Sequence, residues 1–87
     1  MAATKADIVR WVEEGAKKKG ATHVLIVCDT FDYEDYPVYV LEGQDARKVA
    51  KENDGPNMTK LMEVYSLTPK HTLAEQFAAP GRVFNYD

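Results

Sequence analysis

The chain has 87 residues, of which 45% are hydrophobic and 29% are charged, and its 11 basic and 14 acidic residues give a net charge of −3. This composition excludes a disordered chain, so we expect a single globular domain over residues 1–87. The acidic balance argues against a surface that neutralises phosphates, and we therefore expect no nucleic-acid ligand.

The sequence predicts a cytoplasmic protein without a membrane span. Cys28 is the only cysteine, which excludes a disulfide within the chain. Met1 leads into a polar helix start rather than into an apolar signal region. No apolar stretch approaches the roughly 20 residues that cross a bilayer, so we expect no membrane contact.

A first helix is predicted from about residue 5 to residue 18. Thr4 and Asp7 have the spacing of a capping box, and apolar residues then recur on one helical face. Gly20 is expected to cap the C-terminal end. The basic run 17–19 is interpreted as a solvated last turn, where cations complement the helix dipole, rather than as a phosphate-binding patch.

Two strands joined by an acidic loop follow this helix. Thr22–Cys28 is continuously apolar and rich in β-branched residues, which predicts a central strand. Tyr36–Leu41 is similar, and Pro37 near its start suits an edge. Seven residues separate the two runs, too few for a crossover helix, so an antiparallel hairpin is predicted.

The second half of the chain is predicted to hold two more helices and one or two more strands. Gly43–Asn53 has a weak apolar stripe, which predicts a shallowly packed helix. Met58–Leu67 has apolar residues at both odd and even positions, which predicts a strand whose inward face is ambiguous. Thr72–Ala78 is predicted as a short helix with a capping box. Arg82–Tyr86 alternates and is expected to add a last edge strand, either to its own sheet or to a partner's.

The predicted order is helix, strand, strand, helix, strand, short helix, strand. This order indicates an α+β fold, with a mainly antiparallel sheet of three or four strands and helices on one face. A chain of this size buries only about 60 to 65% of its unfolded surface, so a homo-oligomer such as a homodimer is one expectation. Gly15, which costs the first helix about 1 kcal/mol relative to alanine, indicates close packing on the sheet or on a second subunit.

The candidate functional site is the loop of the hairpin, where carboxylates alternate with large aromatic rings. A loop between buried strands needs polar residues, but it does not need large rings. Ring faces attract cations and carboxylates accept hydrogen bonds, so the pattern is typical of a surface for a basic or cationic partner. We expect the partner-binding residues to be Asp32, Tyr33, Glu34, Asp35 and Tyr36.

The tyrosines have two interpretations. Tyrosine tolerates half-buried positions and is enriched at interface centres. On this interpretation the candidate contact residues are Tyr33, Tyr36, Tyr65 and Tyr86. The alternative is that they roof a shallow core with their hydroxyl groups in water.

No motif predicts catalysis or a cofactor. Asp29 and Asp32 are three positions apart, whereas haloacid-dehalogenase-like phosphatases carry aspartates two apart, and the loop also lacks EF-hand spacing. A divalent cation on the loop oxygens is the less favoured interpretation, against an ordinary acidic turn. His23 and Cys28 are expected on opposite faces of one strand, and His71 is expected at the surface.

The segment GATHVLIVCDTFDYEDYPVYV, residues 20–40, with the helix before it, resembles short uncharacterised proteins of phage and bacterial genomes. The resemblance covers about the first half of the chain. It implies a phage-associated accessory protein, of a kind that blocks a host protein or sequesters a small molecule. It implies no catalytic residue.

Three functions are therefore expected, in decreasing order. The first is a non-enzymatic binding protein that uses the loop at residues 29–36 to contact a basic protein or a small cationic ligand. The second is an oligomeric small-molecule binder with a pocket between subunits. The third is a metal-assisted hydrolase that uses Asp29, Asp32 and Asp35.

Overall fold

The protein's structure is a computed structural model that describes residues 3–67, 72–78 and 80–87. His71, which was expected at the surface, lies outside the described residues. A 3-10 turn, Pro56–Met58, precedes the third strand. The helices and strands in chain order are α1 (Lys5–Lys17), β1 (Ala21–Asp29), β2 (Glu34–Leu41), α2 (Ala46–Glu52), β3 (Thr59–Ser66) and α3 (Leu73–Phe77).

The sheet of the described residues is antiparallel and three-stranded, with the order β2-β1-β3. Its central strand is β1, as the continuous apolar run predicted. Residues 24–27 of that strand are all at most 1% exposed, because their side chains alternate between two faces that are both covered. The α+β class, the hairpin and the three predicted helices are therefore confirmed.

The helices lie on both faces of the sheet, and the prediction of helices on one face was wrong. On one face, α2 packs Ala46 and Ala50 against Leu25 and Val27. On the other face, α1 and α3 pack residues such as Ile8 against the opposite side of the same strand. A central strand with consecutive apolar residues exposes apolar surface on both sides, so each side needs a cover.

A β-bulge explains why the inward face of β3 was ambiguous in the sequence. Ile26 pairs with Glu63 and Val27 pairs with Leu61, so Met62 is an extra residue without a partner on β1. The extra residue shifts the side-chain alternation by one position. As a result Leu61 and Val64, three residues apart, belong to the same core.

The C-terminal segment does not form the predicted fourth strand in the described residues. It makes one isolated parallel bridge, between Phe84 and Val64, and so it pairs within its own chain. The main-chain N–H of Val64 donates to the oxygen of Val83, and Asn85 N–H donates to the oxygen of Val64. The segment and the Gln76 side chain, which bonds both main-chain groups of Ser66, cover the outer edge of β3.

Two helix ends differ from the prediction. The capping box of Thr4 and Asp7 is present. The C-cap of α1, however, is Lys18, and Gly20 at φ +83° instead turns the chain into β1. The N-cap of α2 is Asp45, whose carboxylate accepts from two main-chain N–H groups, so this helix begins three residues after the predicted Gly43.

Candidate functional site

The turn between β1 and β2 is built by two of its own carboxylates. Oδ1 of Asp29 accepts a hydrogen bond from the Phe31 N–H at 2.8 Å, and Oδ1 of Asp32 accepts from the Glu34 N–H at 3.1 Å. The Tyr33 N–H donates to the main-chain oxygen of Asp29 at 2.7 Å. These aspartates use the short-range bonding that is typical of Asx turns. Two of the loop carboxylates therefore stabilise the turn itself.

The same turn directs two aromatic rings outward. Phe31 is 77% exposed and Tyr33 is 69% exposed. Exposing such rings forgoes roughly 1.5–3 kcal/mol of burial for each. Asp32 and Glu34, on either side of Tyr33, are exposed as well. These two rings and two carboxylates thus share one accessible turn.

Met58, 28 positions after Thr30 in the sequence, lies beside this turn. Both the N–H and the hydroxyl group of Thr30 donate to the main-chain oxygen of Met58, each at 2.8 Å. The Met58 side chain is 53% exposed. Sequence reasoning missed this residue, because only a contact over 28 positions places it beside the hairpin. We call the surface formed by the following residues the tip surface: Phe31, Asp32, Tyr33, Glu34 and Met58.

Unfavourable backbone geometry is concentrated at this end of the molecule. Among the described residues, the non-glycine residues with positive φ are Tyr33 at +59°, Asn57 at +54° and Met58 at +62°. Each such conformation costs an L-residue about 1 kcal/mol or more. One of them is in the hairpin turn, and the other two are in the 3-10 turn beside it. Strain held in exposed turns is often associated with binding sites.

The remaining predicted site residues, Asp35 and Tyr36, turn back onto the body of the protein. Oδ2 of Asp35 accepts a hydrogen bond from the Ala3 N–H at 2.8 Å, beside the start of α1. Tyr36 is half-buried against the core that α2 covers. Consecutive strand residues point to opposite faces, so these two side chains lie on opposite sides of the sheet. They do not extend the tip surface.

Cys28 and His23 do not form a nucleophile and base. Cys28 pairs with Asp35 across the strands, and burial together with the nearby Asp35 raises the pKa of its thiol, which disfavours the reactive thiolate. His23 is buried, and its Nε2 lies 3.0 Å from the main-chain oxygens of Tyr86 and Asp87. His23 thus holds the C-terminal segment against β1, a structural role that its position in the sequence did not indicate.

The other candidate tyrosines differ from one another. Tyr65 is only 1% exposed, and its hydroxyl group donates to Oε1 of Glu63 at 2.9 Å, so it belongs to the core. Tyr86 is half-buried beneath Arg47, whose guanidinium carbon lies 4.3 Å from the ring centre. Neither ring belongs to the tip surface.

The loop carboxylates do not converge on a common point. Asp29, Asp32 and Asp35 each bond a different main-chain N–H. Over residues 3–67, 72–78 and 80–87, no three His, Cys, Asp or Glu side chains come close enough to hold a metal ion.

Two of the cavities on the described surface lie away from the tip surface. One, of about 240 Å³, is lined by apolar residues that include Ile26 and Met62 and by the charged residues Asp35, Glu63 and Arg82. The other, of about 350 Å³, lies along the start of α2. Neither is lined by an aromatic ring, so neither would stack a planar ligand.

Comparisons with protein-family models, with curated proteins and with solved structures found no match to this chain. Within the described part of the chain, no helix is long and apolar enough to cross a membrane. Function therefore has to be inferred from the site itself.

Proposed function

We propose that the protein is a non-enzymatic binding module that uses its tip surface to engage a basic protein or a cationic ligand. One observation carries this proposal: two aromatic rings and a methionine are exposed together among carboxylates, on turns that hold unfavourable backbone angles. A turn that served only to connect two strands would not need the exposed rings.

The chemistry of the tip surface favours a partner that is both basic and partly apolar. Lysine and arginine combine a cation with an apolar stem, so they can pack on Phe31 and Tyr33 while pairing with Asp32 and Glu34. Cation–π contacts contribute about 0.5–2 kcal/mol each. The carboxylates would mainly speed encounter and select the partner by charge.

The second function, an oligomeric small-molecule binder, is the alternative. This function requires a pocket between subunits, and the homo-oligomer itself remains a prediction. The cavities described above lack the aromatic wall that a planar ligand would need. The metal-assisted hydrolase ranks below both, because its three aspartates bond separate main-chain groups. The phage-associated setting and the cytoplasmic location remain expectations.

The charge part of the proposal is tested by the double variant Asp32→Asn, Glu34→Gln. Asparagine keeps the side-chain oxygen that accepts from the Glu34 N–H, so the turn should persist while both charges are lost. Bound proteins would be identified after pull-down, and each interaction would be quantified with the purified partner. We expect at least a tenfold weaker interaction with that partner and a reduced dependence on salt at ~0.15 M.

The matched control is Glu13→Gln, Glu52→Gln, which removes the same charge from exposed helix positions away from the turn. This control should bind like the unmodified chain. Phe31→Ser with Met58→Ser tests the apolar part and should also weaken binding. If the charge variant captures every partner with unchanged affinity and salt dependence, the proposal is wrong.

A further inference from the structure

The two edges of the sheet are treated differently by this fold. The C-terminal segment and Gln76 cover the outer edge of β3. Among the described residues, the outer edge of β2 has a comparable cover only at its end, where the Leu41 N–H donates to Oε1 of Gln44 at 2.8 Å and the Leu41 oxygen accepts from the Gln44 N–H. These bonds show that the main-chain groups of Leu41 point away from β1.

The direction of the Leu41 main-chain groups determines that of the main-chain groups of the residues before it. Main-chain groups along an antiparallel strand alternate between the two sides, so those of Asp35, Pro37 and Tyr39 also point outward. Among the described residues, none bonds to these outward groups; Asp35 is bonded from Ala3 only through its carboxylate. The edge therefore presents the N–H groups of Asp35 and Tyr39 and three carbonyl oxygens, since proline has no N–H.

The charge of this edge indicates what can cover it. From residue 29 to residue 46, across β2 and both of its flanking turns, the chain has six acidic residues and no basic one. Two copies of β2 paired antiparallel would bring Glu34 and Asp35 of one copy against Glu42 of the other, and like charges would oppose that pairing. An extended segment that carries lysine or arginine would instead be attracted by these carboxylates.

We propose that the open edge of β2 binds an extended basic segment of a partner protein as a fourth, antiparallel strand. This inference rests on the proposed function and specifies the form of its partner. Glu34 and Asp35 point to opposite faces of the sheet, so two consecutive basic residues at the C-terminal end of the segment would face one carboxylate each. The added strand leads directly to the tip surface, where its next residues would meet Phe31 and Tyr33.

The probe is a blocked synthetic peptide that matches the eight residues of β2 in length, with alternating threonine and valine followed by two lysines. Amide hydrogen exchange of the labelled protein, read by NMR, is the measurement. In the free protein the amides of Asp35 and Tyr39 should exchange faster than those of Tyr36 and Val38. Bound peptide should slow exchange at Asp35 and Tyr39 at least tenfold.

Three control peptides separate the components of the interaction. A peptide with methylated main-chain nitrogens keeps the charge but cannot pair as a strand, and it should give no protection at Asp35 and Tyr39. A peptide with glutamates in place of the lysines should bind at least tenfold more weakly. A peptide with the lysines at its centre should also bind more weakly, because antiparallel pairing would then place them beside Pro37 and Val38.

Pro37→Val gives a gain-of-function test. Valine restores an outward N–H at the centre of the edge, and one further hydrogen bond should tighten binding of the lysine peptide about fivefold. Equal or weaker binding by a folded variant would contradict strand addition.

The outcomes distinguish this inference from the proposed function. Shifts at the tip surface without protection of Asp35 and Tyr39 would overturn the strand addition and leave the proposed function standing. Concentration-dependent protection of these amides without peptide would assign the edge to a second copy and overturn the inference. No change anywhere with any basic peptide would count against both.

Discussion

At the scale of single residues, Gly15 shows how a missing Cβ fixes the position of α1 on the sheet. A Cβ at this position would lie 2.7 Å from Cε1 of Tyr39 and 2.9 Å from Cδ1 of Leu67. The Tyr39 ring cannot swing away freely, because its hydroxyl group donates to the main-chain oxygen of Trp11 at 2.9 Å. The close packing on the sheet that the sequence suggested is therefore confirmed.

We predict that Gly15→Ala destabilises the protein, although alanine is the better helix former. Overpacking costs about 1–3 kcal/mol, whereas the gain in helix propensity is about 1 kcal/mol. The expected net loss in the free energy of unfolding is ~1–2 kcal/mol, measured by urea denaturation. In a Tyr39→Leu background the same substitution should become neutral or stabilising. A stabilising effect in the unmodified chain would show that the helix is not held by this contact.

At the scale of elements, local patterns identified the helices and the hairpin, but long-range pairing decided the rest. The run at residues 22–28 predicted a central strand, because consecutive apolar residues require cover on both faces. The bulge at Met62 could not be predicted, since it depends on register with β1 rather than on any residue type. The same limit applies to Met58, which reaches the tip surface only through its bond to Thr30.

The C-terminal segment is a second place where the local sequence pattern was not sufficient for the prediction. Its alternating residues suggested a strand, but its main chain makes one isolated bridge to Val64, and the Gln76 side chain of α3 bonds the next part of the edge. Gln76 is 5% exposed; its Oε1 accepts from the Ser66 N–H at 2.7 Å, and its Nε2 donates to the Ser66 oxygen at 3.0 Å. No local periodicity marks a side chain that replaces a strand in this way.

We predict that Gln76→Leu lowers the free energy of unfolding by ~2–4 kcal/mol, because it leaves two buried main-chain groups without these bonds. Gln76→Glu keeps one acceptor but faces the Ser66 oxygen with a carboxylate, so it should be intermediate near pH 5 and worse near pH 8. Thermal unfolding at both pH values measures this. If Gln76→Leu were as stable as the unmodified chain, the edge of β3 would not depend on this side chain.

At the scale of the whole molecule, the Tyr65–Glu63 pair links β3 and the core beneath α3 to the C-terminal segment. Tyr65 is buried beneath α3, where its ring lies 5.6 Å from that of Phe77. Its hydroxyl group donates to one oxygen of Glu63, and the other oxygen accepts from the Val83 N–H. Neutral Tyr65 therefore couples β3 to the segment that covers its edge, and loss of its proton would disturb both.

This coupling predicts a loss of stability at alkaline pH. Burial, followed by the hydrogen bond and the charge of Glu63, raises the pKa of Tyr65 well above its ordinary value, and burial also raises the pKa of Tyr39. In the unfolded chain both phenols ionise near pH 10, while the folded protein retains their protons. The unfolded state thus binds fewer protons above that pH, and the free energy of unfolding should fall by up to ~1.4 kcal/mol per pH unit for each phenol.

Urea denaturation between about pH 8 and pH 11 measures this slope, and Tyr65→Phe is the control that isolates one phenol. The variant should be less stable near neutral pH, because Glu63 loses its donor, yet its stability should fall less steeply above pH 10. The two curves should therefore converge as pH rises. Parallel curves would mean that ionisation of Tyr65 does not contribute to alkaline unfolding, and that lysine deprotonation or Tyr39 accounts for the slope.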